Sequence, residues 1–226
     1  MIVENVIETK IIDRLIKYFE FECKFDIGFS PKHQLTMGME KVIDPWSIPM
    51  VRDLLDPIIS HYIDTSDNVG DTFFKHTDPY FPHADNNNEF DTVNVLIPLQ
   101  RSHTQHNQYF IVFDQTNTQN SGATWMGEYD VPGEFQFNKK RTFPGRDTIV
   151  SGATSEDITE ELYNIYLHAP NRPRELFYGL SINQAYDWVP GNMIMFNSDH
   201  IHCSGTMHCD WKLGLSLRFK GSLTDK

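Results

Sequence analysis

The sequence predicts a mainly β fold with helices packed outside it, on three observations. Two amphipathic helical patterns come first, over 6–21 and 47–63. Short apolar runs bounded by polar turns follow from about residue 72, and the last of them alternates between polar and apolar side chains. At 226 residues, with 39% hydrophobic and 13% aromatic content, the chain has enough apolar surface to offset its ordering entropy, which argues against disorder and for one domain.

Val6, Ile7, Ile11, Ile12, Leu15, Ile16, Tyr18 and Phe19 recur at spacings of three and four, so they share one helix face. Met50, Val51, Leu54, Leu55, Ile58, Ile59 and Tyr62 form a second such stripe, with Pro49 tolerated in its first turn. Strands are predicted over 72–76, 92–99, 109–113, 193–196 and 213–219. The organisation is a helical part over 1–66, a β core over 70–115 and 176–220, and an insertion over about 116–171. The insertion is rich in Gly, Asn, Thr and Pro, with one short helix expected from Glu156 to Tyr166, capped by Ser155. Long loops on a rigid scaffold commonly carry binding determinants, which makes it a candidate lid.

Charge and cysteine content narrow the function. A net charge of −12, from 19 Lys and Arg against 31 Asp and Glu, repels phosphate backbones and anionic membrane surfaces, so nucleic acid is a poor partner. Lys139, Lys140, Arg141 and Arg146 form the one basic cluster of note and read as a solvated loop. The odd count of 3 cysteines without regular spacing indicates neither a disulfide framework nor a zinc ribbon. The first ten residues carry Glu4 and Glu8 and do not read as a signal peptide, and a cytoplasmic protein is the expectation.

His76 and Asp78 stand two apart at the end of a predicted strand, where such residues point to one face. An imidazole and a carboxylate together suit a divalent metal, and a second His from a later strand would complete a face with open positions for oxygen and substrate. His83-Ala84-Asp85 repeats the pattern beside the turn-forming run Asn86-Asn87-Asn88, and its less regular setting favours the pair at 76 and 78. Further on, the Pro190-Gly191 turn, the strand at 193–196 and His202 lead to Lys212. From there Lys212, Gly214, Ser216 and Arg218 share one face of a strand and Leu213, Leu215, Leu217 and Phe219 the other. His200 sits two residues too early to be favoured over His202. A cationic face inside a small barrel needs an anionic partner, because an unpaired buried charge is costly.

The segments His76-Thr77-Asp78-Pro79-Tyr80-Phe81-Pro82 and Pro190-Gly191 through His202-Cys203-Ser204-Gly205 resemble the Fe(II)/2-oxoglutarate dioxygenases, specifically the phytanoyl-CoA hydroxylase-like branch. The runs Asn94-Val95-Leu96-Ile97-Pro98-Leu99 and Ile111-Val112-Phe113-Asp114-Gln115 are similar to uncharacterised phage and bacterial members, so the resemblance covers 72–219 in patches. It implies a double-stranded β-helix of the jelly-roll, cupin-like kind, with Fe(II) on His76, Asp78 and His202. It also implies 2-oxoglutarate as cosubstrate, with its distal carboxylate on Lys212, where the family usually has Arg. Arg218 is the rival anchor. Ser216, Tyr109 and Ser204 are candidate cosubstrate contacts, since Gly214 stands where a Ser is common. Tyr80, Phe81 and Trp125 are candidate substrate contacts, beside Tyr129, Phe135 and Phe137 of the insertion. The implied reaction consumes O2, converts 2-oxoglutarate to succinate and carbon dioxide, and hydroxylates a small molecule or a side chain. The alternative is a cupin-like metal-binding barrel without oxygenase activity, acting as a binding or structural protein.

Overall fold

The computed structural model describes residues 1–22, 39–80, 82–85, 91–103, 105–117, 124–125, 150–151, 158–170, 172–177 and 179–223. Its strands are β1 (Ile2–Val3), β2 (Met39–Ile43), β3 (Asn68–His76), β4 (His83–Ala84), β5 (Thr92–Arg101) and β6 (Tyr109–Asn117). They continue as β7 (Thr124–Trp125), β8 (Val150–Ser151), β9 (Ile182–Asp187), β10 (Met193–Asn197), β11 (His200–Ser204) and β12 (Lys212–Lys220). One sheet has the order β1-β10-β5-β12-β3-β2, and the other β7-β4-β11-β6, with β9 and β8 pairing different stretches of β6. The central strands thus interleave as β3-β12-β5-β10 and β4-β11-β6-β9, all pairs antiparallel. This is the winding of a double-stranded β-helix, in which each turn of chain adds one strand to each sheet.

The helices cover the outer face of the first sheet. Helix α1 (Thr9–Lys17) runs on into a wider turn at Tyr18–Glu22, and α2 (Pro49–Ile59) follows a tighter turn at Pro45–Ser47. Both are shorter than the apolar stripes predicted. Ile7 keeps its place in the stripe but donates its amide to Gly191 O (3.0 Å), which fixes the chain before the helix starts. Gly191 has φ +93°, a left-handed conformation suited to glycine, which explains the Pro190-Gly191 turn.

Leu15, Val51, Leu55 and Ile59 from the helices pack in one buried cluster with Phe73, Val95, Ile97, Leu213, Leu215 and Leu217. The alternation of β12 is therefore realised, with apolar residues towards the helices and the other face towards the second sheet. Leu55→Ala is expected to destabilise the protein by about 3 kcal/mol, read as a lower urea midpoint at unchanged slope.

The helix expected over 156–166 is shorter. Helix α3 (Glu160–Leu162) leads into a wider turn at Tyr163–Leu167, and Thr159 caps it, its Oγ1 accepting from Leu162 N at 3.2 Å. Ser155, Phe81, Tyr129, Phe135, Phe137 and the basic cluster at 139–146 lie outside the described residues. No described helix is long and apolar enough to cross a membrane.

Candidate metal centre

The pair His83 and Asp85, not His76 and Asp78, converges with His202. Strand β3 ends at His76, and Thr77 and Asp78 form an exposed bend before Pro79, so the parity that would align Asp78 with His76 is lost. The chain then crosses to the second sheet, where β4 pairs His83 directly with His202 of β11. Their ring centroids are 4.2 Å apart. Asp85 Oδ1 lies 3.5 Å from His83 Nε2, and Asp85 Oδ2 lies 3.4 Å from His202 Nε2. The three ligand atoms fall within 4.8 Å of one another, which a cation with bonds of about 2.0–2.2 Å can bridge.

The surroundings hold these atoms in place. His202 Nδ1 donates to His200 O at 2.9 Å, which orients the ring with Nε2 towards Asp85. Asn94 Nδ2 donates to Asp85 Oδ2 (3.0 Å), and Ser198 Oγ in turn donates to Asn94 Oδ1 (3.0 Å). Arg218 Nη1 donates to the Asp85 carbonyl. Burial opposes the charge on Asp85, but His83, His202 and Arg218 outweigh it and hold the carboxyl well below the usual range. Two imidazoles and an ionised carboxylate on one side of a cavity, with Asp85 and His202 steadied from behind, fit a divalent metal with open positions.

The cavity beside this group is about 230 Å³ and runs between the sheets. Phe74, Leu96, Phe110, Trp188 and Phe196 give it apolar walls, while Thr72, Ser204 and Ser216 add hydroxyls. His76 also lines it, away from the triad and against Phe74 and Tyr80 (centroids 4.7 and 5.4 Å). Tyr80 stands between the two histidine positions, 4.7 Å from the His83 ring, and burial together with the Asp85 charge raises its hydroxyl pKa. Tyr109 is not brought to the cavity. Alternation along β6 sends Phe110 inward and turns Tyr109 outward against Tyr166, at 4.9 Å. The Trp125 backbone pairs with His83, while its side chain lies outside what the structure describes.

Lys212 is only 1% exposed, and its Nζ sits 4.6 Å from the centre of the Trp188 ring. No carboxylate among the described residues pairs with it. Burial is the main cause that lowers its pKa to about 8; the neighbouring Cys209 and Cys203 oppose the shift, and Arg172 adds to it. Arg218, by contrast, is occupied behind Asp85.

Asn94 and Arg172 escaped the sequence reading. Asn94 left a trace, one polar amide inside an apolar run, whereas Arg172 follows a loop without pattern. Arg172 is fully buried and donates to Tyr80 O (3.1 Å), Ser204 O (2.7 Å) and Leu167 O (2.6 Å), tying the cavity wall to the end of the insertion. Arg172→Met leaves three carbonyls without these donors and is expected to cost about 3–5 kcal/mol in urea denaturation.

No family model and no curated protein matches the sequence. Solved structures do resemble the fold. The non-heme α-ketoglutarate dependent carbocyclase SnoK from nogalamycin biosynthesis aligns over 100% of this chain and 83% of its own, with TM-score 0.53 and 12% identity. HygX from Streptomyces hygroscopicus, solved with iron bound, aligns over 99% of this chain and 82% of its own, with TM-score 0.51 and 10% identity. HygX with nickel and 2-oxoglutarate bound gives TM-score 0.50 at 11% identity, over 99% and 83% of the two chains. The class that fold and strand order define is the double-stranded β-helix of these enzymes.

Proposed function

We propose that the protein is an Fe(II)- and 2-oxoglutarate-dependent oxygenase that hydroxylates a small molecule or a side chain. The ligands are His83, Asp85 and His202, which replaces the set containing His76 and Asp78. The observation that carries the reading is the His83–Asp85–His202 group on adjacent strands of a barrel whose interior also buries Lys212 with no acidic partner among the described residues. SnoK and HygX share the fold, and the iron and 2-oxoglutarate in their descriptions make both ligands the natural choice for this donor set.

When bound, Fe(II) would supply oxygen activation coupled to decarboxylation of 2-oxoglutarate. The chain's own part is positional. Asn94 and Ser198 hold Asp85 in a fixed rotamer, His200 O fixes the tautomer of His202, and Lys212 supplies the counter-charge for the distal carboxylate. Ser204, Ser216 and Thr72 are the hydroxyl donors along the cavity, and the apolar walls exclude water from it. Tyr80 stands beside His83 and His76 lines the same cavity next to Tyr80, where they would contact the substrate.

A metal-binding barrel without cosubstrate is the second reading, favoured by one observation, the Trp188 ring covering Lys212. Anaerobic protein mixed with Fe(II) and 2-oxoglutarate separates the two. A weak visible charge-transfer band requiring both additions, with succinate formed once air is admitted, is the expected result. Fe(II) binding with no such band and no succinate would overturn the oxygenase reading.

A further inference from the structure

We propose that Trp188, matched to Gly214, sets the length of the 2-oxo dicarboxylate that the barrel accepts. The inference rests on the 2-oxoglutarate reading above. Gly214 lies on the inward face of β12, two residues from Lys212. A Cβ built there would stand 2.7 Å from Trp188 Cη2 and 2.8 Å from Phe74 Cζ, so the six-membered ring of the indole fills the space a side chain would occupy. That ring is part of the cavity wall, and Lys212 lies against it.

The indole is anchored from both sides. Its Nε1 donates to Gln100 O at 3.3 Å, and the Trp188 backbone amide donates to Gln108 O at 2.7 Å. With 1% exposure the ring is buried, and these contacts hold it in the cavity wall. A dicarboxylate chelating at the triad with its far carboxylate directed to Lys212, which lies over the ring, has to fit within the room the ring leaves. The five-carbon acid is the one we assign to this room; a sixth carbon puts another methylene against the indole. Discrimination on one methylene is typically about 10- to 200-fold.

Calorimetric titration of the Mn(II)-loaded protein with 2-oxoglutarate and with 2-oxoadipate tests this without turnover. Wild type should bind 2-oxoglutarate at least about 10-fold more tightly. Trp188→Leu should bring the ratio near one, chiefly by gaining affinity for 2-oxoadipate. Trp188→Phe, a milder change that keeps an aromatic ring in the core, should fall between them and carries the test if the leucine variant does not fold. Both acids bound by Trp188→Phe with the wild-type ratio would overturn the inference and leave the oxygenase reading standing. No binding of either acid to the Mn(II)-loaded wild type would overturn both.

Discussion

Asp85→Ala is expected to lower Fe(II) affinity by more than about 100-fold and to abolish the 2-oxoglutarate-dependent band, because it removes the carboxylate between His83 and His202. Asp78→Ala, on the exposed bend after β3, should leave both unchanged. The paired experiment discriminates between two His-any-Asp copies that differ by seven positions in the sequence. Metal titration followed by the visible spectrum reads it directly. Equal losses from the two variants would sink the assignment of the ligands. His76→Ala is the instructive third case. It should keep the metal and change the KM for the organic substrate, since His76 faces the cavity from the other sheet.

Lys212→Met should move stability and ligand affinity in opposite directions. In the free protein Lys212 is a buried ammonium with no acidic partner among the described residues, and replacing such a cation with an apolar chain of similar length commonly gains about 1–4 kcal/mol. The same change removes the counter-charge for the distal carboxylate, with an expected loss of about 100-fold or more in 2-oxoglutarate affinity. The pH dependence follows from the lowered pKa. Folded Lys212 titrates at about 8 and the unfolded side chain at its ordinary 10.5, so between these values the unfolded chain binds more protons and wild-type stability rises with pH. The penalty of the buried charge is present in full below about 8 and relieved as pH climbs towards 10.5. Lys212→Met should lack that rise. Binding of 2-oxoglutarate to wild type should weaken as pH passes about 8, where the ammonium loses its proton. A variant that binds the cosubstrate as wild type does would return the anchor to Arg218.

The fold was legible wherever periodicity reports burial. The helical stripes and the alternation of 212–219 both describe one face turned to the same apolar layer, and the structure fills that layer with the residues the pattern named. Strand β9, with Asn183 and Gln184 exposed, offered no such pattern, because it lies at an edge of the second sheet. The sequence reading set His76 and Asp78 beside His202, whereas the structure brings His83 and Asp85 to it. His76 and Asp78 have the right spacing, yet same-face parity holds only while the strand lasts, and the prolines at 79 and 82 end it. The pair at 83 and 85 lies beside a turn-forming run, a less regular setting than a strand. What rigidifies it is long-range: Asp85 N donates to Ser198 O (2.9 Å), Asn94 holds the carboxylate, and His83 pairs with His202 across 119 positions of chain. No local pattern encodes such contacts.

One irregularity between β5 and β12 has a genetic reading. Opposite Leu213 and Gly214 stand Gln100 and Pro98, so Leu99 is the extra residue of a bulge, at a point where proline cannot donate to the ladder. The phase of β5 on its two sides depends on that one insertion. Before it, Asn94 holds the Asp85 carboxylate and Leu96 faces the cavity; after it, Gln100 receives the indole of Trp188 and Arg101 stands opposite Lys212. Deleting the single codon for Leu99 would realign half the strand and break the Asn94 and Gln100 contacts apart, whereas Leu99→Val would keep both. In a library of variants this short segment should therefore tolerate replacement far better than any change in length.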